Sequence, residues 1–323
     1  MRKRLRNSIE RRKNLNAPKP NQLLTELNKN KAFIIMLLPA IIYILIFAYI
    51  PMTGIILAFK KYTYAGGIFG SAWNGLKNFE FFFKSGKAAL VTKNTVLYNL
   101  LFIAFNTVLQ IMVAILLTEV KGKYFKKISQ SMMFLPYFIS WVVVSVIAFN
   151  ILSYDVGVIN TIIGKFGGEK IAFYSESKFW PAILTLFGGW KGVGYGSILY
   201  LAAIMGVDTQ IYEAAQIDGA NVFQRIFKIT IPQIMPTAVI LFLLSIGGIF
   251  RGNFDMFYNL IGSNGVLYNA TDVIDTFTFR ALMTNSDFGM SAASGLYQSV
   301  CCFITIMIVN KLVKMYEKDY SLF

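Results

Sequence analysis

Residues 206–232 read GVDTQIYEAAQIDGANVFQRIFKITIP, a polar interlude between two long apolar runs. Asp208 or Thr209 suits a helix N-cap, because a short side-chain oxygen can accept from the free N–H groups of the first turn. Ile211, Ala214 and Ala215 then recur at helical spacing. Gly219 suits the end of that helix, where a left-handed backbone costs little only without a Cβ. Asn221 can start a second helix with Phe223, Phe227 and Ile231 on one face, and Pro232 and Pro236 open the next apolar run. The stretch predicts two short helices around a sharp glycine turn, a compact knob on one side of whatever the flanking runs cross.

The flanking runs are long enough to cross a bilayer. About 20 apolar residues span its hydrocarbon core. Six runs qualify: 32–58, interrupted by Pro39 and Pro51; 95–118; 128–152, with Pro136 as a kink; 179–206; 234–261; and 289–313. The knob falls between the fourth and fifth. Of 323 residues 56% are hydrophobic and only 15% charged, against roughly a quarter charged in soluble domains. The expected fold is an all-α polytopic membrane protein with six transmembrane helices. Two regions are expected, a basic tail (1–31) and one membrane domain (32–323).

The net charge of +15 would suit a nucleic-acid partner, but most of the bases flank apolar runs. They read as topology, since Lys and Arg are retained in the cytoplasm, and the bilayer is the partner. The tail (Arg2, Lys3, Arg4, Arg6, Arg11, Arg12, Lys13), the loop with Lys121, Lys123, Lys126 and Lys127, and the carboxyl end with Lys311, Lys314 and Lys318 share one side. That side is expected to be cytoplasmic, with both termini in it, and the knob lies there too. Asp272, Asp275 and Asp287 fall outside. The loop 59–93 runs against the rule, being placed outside yet carrying six lysines. The tail precedes too long an apolar run to be a cleaved signal.

Several chemistries are disfavoured. The chain has no histidine, which removes His triads, His ligands and His proton relays. Cys301 and Cys302 are adjacent inside an apolar run, poorly placed for a disulfide or a zinc site. No catalytic residue and no metal site is expected. There is no G-x-x-x-x-G-K-[ST] phosphate loop, so any ATP hydrolysis belongs to another chain.

The knob resembles the EAA loop of ABC-importer membrane subunits: Glu213, Ala214, Ala215, then Asp218, Gly219, Ala220, then Phe223, Phe227, Ile229 and Pro232, with Ile231 where the family usually has Leu. The resemblance implies a coupling helix that docks on an ATPase dimer, which binds ATP and Mg. It also implies a second homologous permease, an extracytoplasmic sugar-binding protein and a place in the cell (inner or plasma) membrane. Glu213, Ala214, Ala215, Asp218, Gly219 and Ala220 are the expected coupling residues.

Further matches point to carbohydrate. Residues 188–196 read GGWKGVGYG; Gly188, Gly192 and Gly196 would let another helix approach closely. Trp190, Gly192 and Tyr195 also resemble the W-x-G-x-x-Y pattern of the sugar-binding subunit of maltose importers, where an aromatic ring can stack on a pyranose. Lys191 departs from that pattern, and a charge within a span tends to be functional. Asn253–Phe254–Asp255 resembles the N-F-D stretch of sugar permeases. Arg251 and Asp255, four apart, would share a helix face and either neutralise each other or form a polar surface. Lys191 and Arg251 together would suit an acidic sugar. Asp272–Arg280 and Gly295–Val300 resemble the polysaccharide and complex-oligosaccharide branch, and Gly262–Gly265 stands where other sugar permeases carry Gly-Gly-Pro, an absence that favours this branch over the maltose type. Leu135–Pro136–Tyr137 is frequent in such permeases. Residues 155–160 are expected to turn towards the solute-binding protein.

The reading is thus an oligosaccharide importer subunit, with Trp190, Lys191, Gly192, Tyr195, Arg251, Asn253 and Asp255 along the pathway. The alternatives are an importer permease for a non-sugar solute and a secondary transporter. The latter would require internal repeats and embedded carboxylates.

Overall fold

The computed structural model describes residues 29–316, apart from Lys121 and the side chains of Phe81 and Tyr316. Most of the expected basic tail, Lys121 and Lys318 therefore lie outside the described residues. Among those described, the only strands are Lys60–Lys61 (β1) and Ala72–Trp73 (β2), which pair antiparallel.

The chain divides after Ile55 into two units. In the first, α1 (Lys31–Ile44) passes into a π turn at Leu45–Tyr49, and no residue of either is buried. A 3-10 stretch, Ile50–Phe59, follows. The π turn lies just ahead of Pro51. A second π turn, Ile226–Thr230, lies just ahead of Pro232. A proline ring displaces the carbonyl four residues back and offers no N–H, and a widened turn accommodates both effects.

Besides short helical turns at Gly67–Gly70 and Tyr268–Thr271, the second unit holds α2 (Lys77–Lys84), α3 (Lys87–Glu119), α4 (Lys123–Phe138), α5 (Trp141–Leu152), α6 (Val158–Lys165), α7 (Trp180–Met205), α8 (Thr209–Ile217), α9 (Val222–Arg225), α10 (Ile231–Gly247), α11 (Phe254–Ile261), α12 (Ile274–Met283) and α13 (Phe288–Tyr316). Near one end of α3, Tyr98 packs with Ile183 and Leu184 of α7 and with Phe257 of α11. Near the other end, Val113 and Leu117 pack with Leu201 and Ile204 of α7 and with Ile234 of α10. Early α3 thus meets early α7, and late α3 meets late α7, so the two run parallel. α10 meets α3 in the opposite sense, Ile234 lying by the end of α3 and Ile249 by Asn99. α13 runs against α10, with Gln298 at Phe250 and Ile306 at Gly247. The knob, the start of α4 and the end of α13 therefore share one end of the molecule, and Asp272 lies at the other, beside Asn94.

The close contacts of α7 are made by glycines, though not at the expected spacing of four. A Cβ on Gly189 would collide with the Phe105 ring and one on Gly196 with the Gln110 amide, both from α3, while one on Gly194 would collide with the Met133 carbonyl of α4. Gly188 and Gly192 would meet only ordinary contacts at 3.5 and 3.8 Å.

Among the described residues four helices are long and apolar enough to cross a membrane: Lys31–Phe59, Lys87–Glu119, Val222–Gly247 and Phe288–Met315. α4 and α5 form a fifth candidate, bent by 98°. α7 has 26 residues, about 39 Å at 1.5 Å per residue, but its glycines and Lys191 make it less apolar.

Two expected runs are broken. The third is not interrupted at Pro136, which stays within α4. It breaks at Ile139 and Ser140, both extended, and the Ser140 hydroxyl restarts the helix by accepting from Val143 N–H. The fifth ends at Gly247, and α11 begins only at Phe254. Arg251 lies in that break, so it shares no helix face with Asp255, and among the described residues no ion pair joins them.

The basic loop 59–93 has a structural explanation in part. Lys60 is only 4% exposed. Its ammonium donates to the Ile68 and Phe69 carbonyls at 3.1 and 2.6 Å and lies 5.2 Å from the Trp73 ring. Lys84 pairs with Glu80 at 2.5 Å. At least two of its lysines are therefore held by the loop's own fold.

Candidate functional sites

The knob is built by local rules. The Asp208 carboxylate accepts from Gln210 N–H at 2.9 Å and caps α8. α8 ends on Gly219 at φ +79°, where Ala220 N–H reaches back to the Ala215 carbonyl at 2.9 Å. Asn221 and Gln224 then cap α9 reciprocally, at 2.9 and 2.8 Å. One longer bond, Tyr212 Oη to Thr230 Oγ1 at 3.0 Å, ties α8 to the base of α10. Glu213, Ala214 and Gln216 lie on the exposed side of α8, Ala215 is half-buried, and no residue of α8 is fully buried. Ile217 and Phe223 are 87% and 72% exposed. Tyr212 and Arg225 of the knob, with Glu119 and Lys126 from the α3–α4 corner, border an open cavity of about 1100 Å³.

A second cluster joins α7 to the broken α4–α5 span. The Lys191 ammonium donates to the Tyr137 carbonyl at 2.6 Å. It lies 5.4 and 5.5 Å from the rings of Tyr137 and Trp141. The carbonyl is one of those left open at the end of α4, where a cation is favourable. Tyr195 stacks on Tyr137 with centroids 4.6 Å apart and planes 10° off parallel. Lys191, Gly192 and Tyr195 thus share a face of α7. Trp190 does not: five residues at about 100° each put it about 140° away from Tyr195. Its ring instead meets Phe187 edge-on at 6.5 Å. Tyr137 and Trp141 were not among the candidates. Their signal was the aromatic pair flanking a Ser that can restart a helix.

The third cluster is the α10–α11 break. Asn99 of α3 donates to the Ile249 and Arg251 carbonyls at 2.9 and 3.0 Å. Gln298 of α13 donates to the Phe250 carbonyl at 2.7 Å and to Asp275 at 2.9 Å. Asp275 also accepts from Gly252 N–H at 2.6 Å. In α12, outside the long spans, burial raises the Asp275 pKa, opposed by these hydrogen bonds and by the Arg251 charge. Asn253 caps α11 through its carbonyl, accepting from Met256 N–H at 3.2 Å, which leaves its amino group outside the cap. Asp255 is exposed in the first turn of α11. The break thus brings Arg251 and Asn253 onto a stretch of backbone held by three other helices.

Beside it, Asp272, 3% exposed, pairs with Arg280 at 2.5 Å. Thr276 donates to the same carboxylate at 2.8 Å, and the guanidinium lies 4.1 Å from the Tyr268 ring. In the 155–160 turn, Asn160 points inward rather than out, donating to the Ser153 and Ile171 carbonyls at 3.1 and 2.8 Å.

Long apolar helices, broken spans clamped by polar side chains and a capped knob at one end define a multi-pass membrane permease. The chain belongs to the family of binding-protein-dependent transport system inner membrane components, whose model matches residues 110–317. As a member it is a transport permease and not an enzyme. It is 36% identical over 301 residues, 93% of each chain, to the polygalacturonan/rhamnogalacturonan transport system permease YteP of Bacillus subtilis strain 168. It is 33% identical over 305 residues, 94% of this chain and 95% of the other, to Protein LplB of the same organism. Among solved structures it resembles a chain of a bacterial ABC transporter involved in import of the acidic polysaccharide alginate. The TM-score is 0.83 at 30% identity, covering 92% of this chain and 99% of that one. A structure of a bacterial alginate ABC transporter in complex with an alginate pentasaccharide-bound periplasmic protein gives 0.82 at 31%, with the same coverage.

Proposed function

We propose that this chain is one membrane subunit of an ATP-driven importer for an acidic oligosaccharide delivered by an extracytoplasmic solute-binding protein. It works with a second homologous permease and with an ATPase dimer that carries ATP and Mg. It crosses the membrane six times, counting α7 and the bent α4–α5 pair, with the knob and both termini in the cytoplasm. Residues 1–31 form a basic cytoplasmic tail on the membrane domain 32–323.

The observation that carries this reading is the knob. It hangs between α7 and α10 at the same end as Lys123, Lys126, Lys127, Lys311 and Lys314, the side that positive charge marks as cytoplasmic. Small Ala214 and Ala215 allow a close approach to the motor, and Glu213 offers it a charge. The Asp218–Gly219–Ala220 turn fixes the angle between the two helices, and the Tyr212–Thr230 bond passes a push on α8 to α10. This is rigid-body switching between packed states.

The sugar's charge is read from two supports. YteP and the alginate importer carry polygalacturonan/rhamnogalacturonan and the acidic alginate in their printed names. In this chain the Lys191 charge meets a carbonyl and two rings rather than a carboxylate, which leaves it available to an anion. The substrate faces Lys191, Gly192 and Tyr195 on α7 and Arg251 and Asn253 at the break, with Asp255 at its rim. Trp190, on the other side of α7, is assigned no contact.

The test is to purify the chain with its co-expressed neighbours and to measure uptake of an oligouronate into vesicles. Co-purification of a second permease and an ATPase, with uptake requiring ATP and the binding protein, is expected. Uptake driven by an ion gradient without ATP would overturn the reading.

A further inference from the structure

α3 carries Asn99, Asn106 and Gln110 at positions i, i+7 and i+11, on one helical face. An amide inside a membrane is costly unless it meets polar partners or water. The polar atoms of Asn99 are partly engaged by the break. Asn106 and Gln110 lie further along, against Gly192 and Gly196 of α7. The only atom within 4 Å of a Cβ built on Gly192 is Asn106 Oδ1, at 3.8 Å, and a Cβ on Gly196 would strike the Gln110 amide. The buried Asn106 Oδ1 has no hydrogen-bond partner. Around these amides lies an open groove of about 470 Å³ between α3, α7 and α10, bordered also by Thr107, Leu199, Tyr200 and Ser245. Its size falls within the roughly 300–1,000 Å³ of small-molecule clefts. Its lining is amide, hydroxyl and apolar, with no charged side chain among it.

From this arrangement we propose that the groove is a water-filled passage whose amides bind the hydroxyl groups of the translocating sugar. This deepens the proposed function and rests on it. Gly192 and Tyr195 connect the groove to Lys191 along one face of α7, so a chain of sugar residues would pass from a cationic clamp onto a neutral, hydroxyl-binding surface. A neutral surface attracts the carboxylates of an acidic sugar less than a cation does, and so lets the sugar move on. Gly192 places no side chain against the buried, unpartnered Asn106 carbonyl, so a small shift of α3 or α7 would open that acceptor to the groove.

The experiment uses the assembled complex in native membranes and a membrane-impermeant, water-soluble thiol reagent. Thr107→Cys and Ser245→Cys face the groove. Leu101→Cys and Val108→Cys, on the opposite face of α3, serve as lipid-side references. Label is counted above that of the unsubstituted chain, which corrects for Cys301 and Cys302. The expected result is at least fivefold more label at Thr107→Cys and Ser245→Cys than at the references. Equal label would mean that lipid or a packed helix fills the groove, and would overturn the inference whatever the transport result. In the second arm, Gln110→Leu is expected to cut oligouronate uptake at least tenfold while the complex assembles and still hydrolyses ATP. Wild-type uptake in that variant would overturn the sugar contact. If the unsubstituted complex moves no oligouronate, the proposed function fails instead, and the labelling still decides whether the groove is wet.

Discussion

The knob and the α10–α11 break are both short, polar, non-spanning pieces of chain, yet they are held in opposite ways. In the knob nearly every bond joins residues within five positions, from the Asp208 cap to the Asn221–Gln224 pair. In the break the decisive bonds come from Asn99, Asp275 and Gln298, on three other helices. A locally specified element can swing as a unit because its geometry does not depend on its neighbours. A break clamped from three sides ties those helices together and can change only when they move. The first is suited to receive a push and the second to report it at the far end.

That contrast can be broken by substitution, and the largest effect falls in the ion pair beside the clamped break. Asp272→Ala removes the partner of a part-buried Arg280 and should destabilise the chain by about 3–5 kcal/mol, read as a lowered thermal midpoint of the purified complex. Equal stability would mean that the pair holds nothing. Asn99→Leu leaves the Ile249 and Arg251 carbonyls without their donor. A loss of about 1–3 kcal/mol is expected, with increased hydrogen exchange in both α10 and α11. Exchange confined to α3 would contradict the clamp. In the knob, Asn221→Ala should cost only about 1 kcal/mol, and the exchange change should stay within α8 and α9. The smallest effect is expected for Trp190→Ala, whose uptake should stay close to wild type while Tyr195→Ala falls well below it. The reverse order would return Trp190 to the pathway.

The same contrast governs what could be read from the residues. Capping, glycine turns and helical spacing act over a few positions, so Asp208, Gly219 and Asn221 announced the knob. Mean apolarity announced the long helices. The breaks were not legible, because they depend on partners far along the chain. Residues 234–261 look like one span until Asn99, Asp275 and Gln298 are placed beside them. The Arg251–Asp255 pairing failed for that reason. The 128–152 run misled differently, since Pro136 drew the kink to itself while Ser140 restarts the helix a turn later. Trp190 and Tyr195 were grouped by a motif, but positions five apart cannot share a helix face. The Asn99, Asn106 and Gln110 stripe was readable by period alone and was passed over because the run around it is so apolar.

The central claim is that α8 and α9 pass the motor's movement to the spans. It is tested most directly by the number of sugar molecules moved per ATP hydrolysed in reconstituted vesicles, for Glu213→Ala and Gly219→Pro beside wild type. Proline cannot adopt the φ of +79° found at Gly219, so that variant disrupts the turn without touching a span. The account predicts that both variants assemble and hydrolyse ATP while the ratio collapses. A wild-type ratio in both would contradict it.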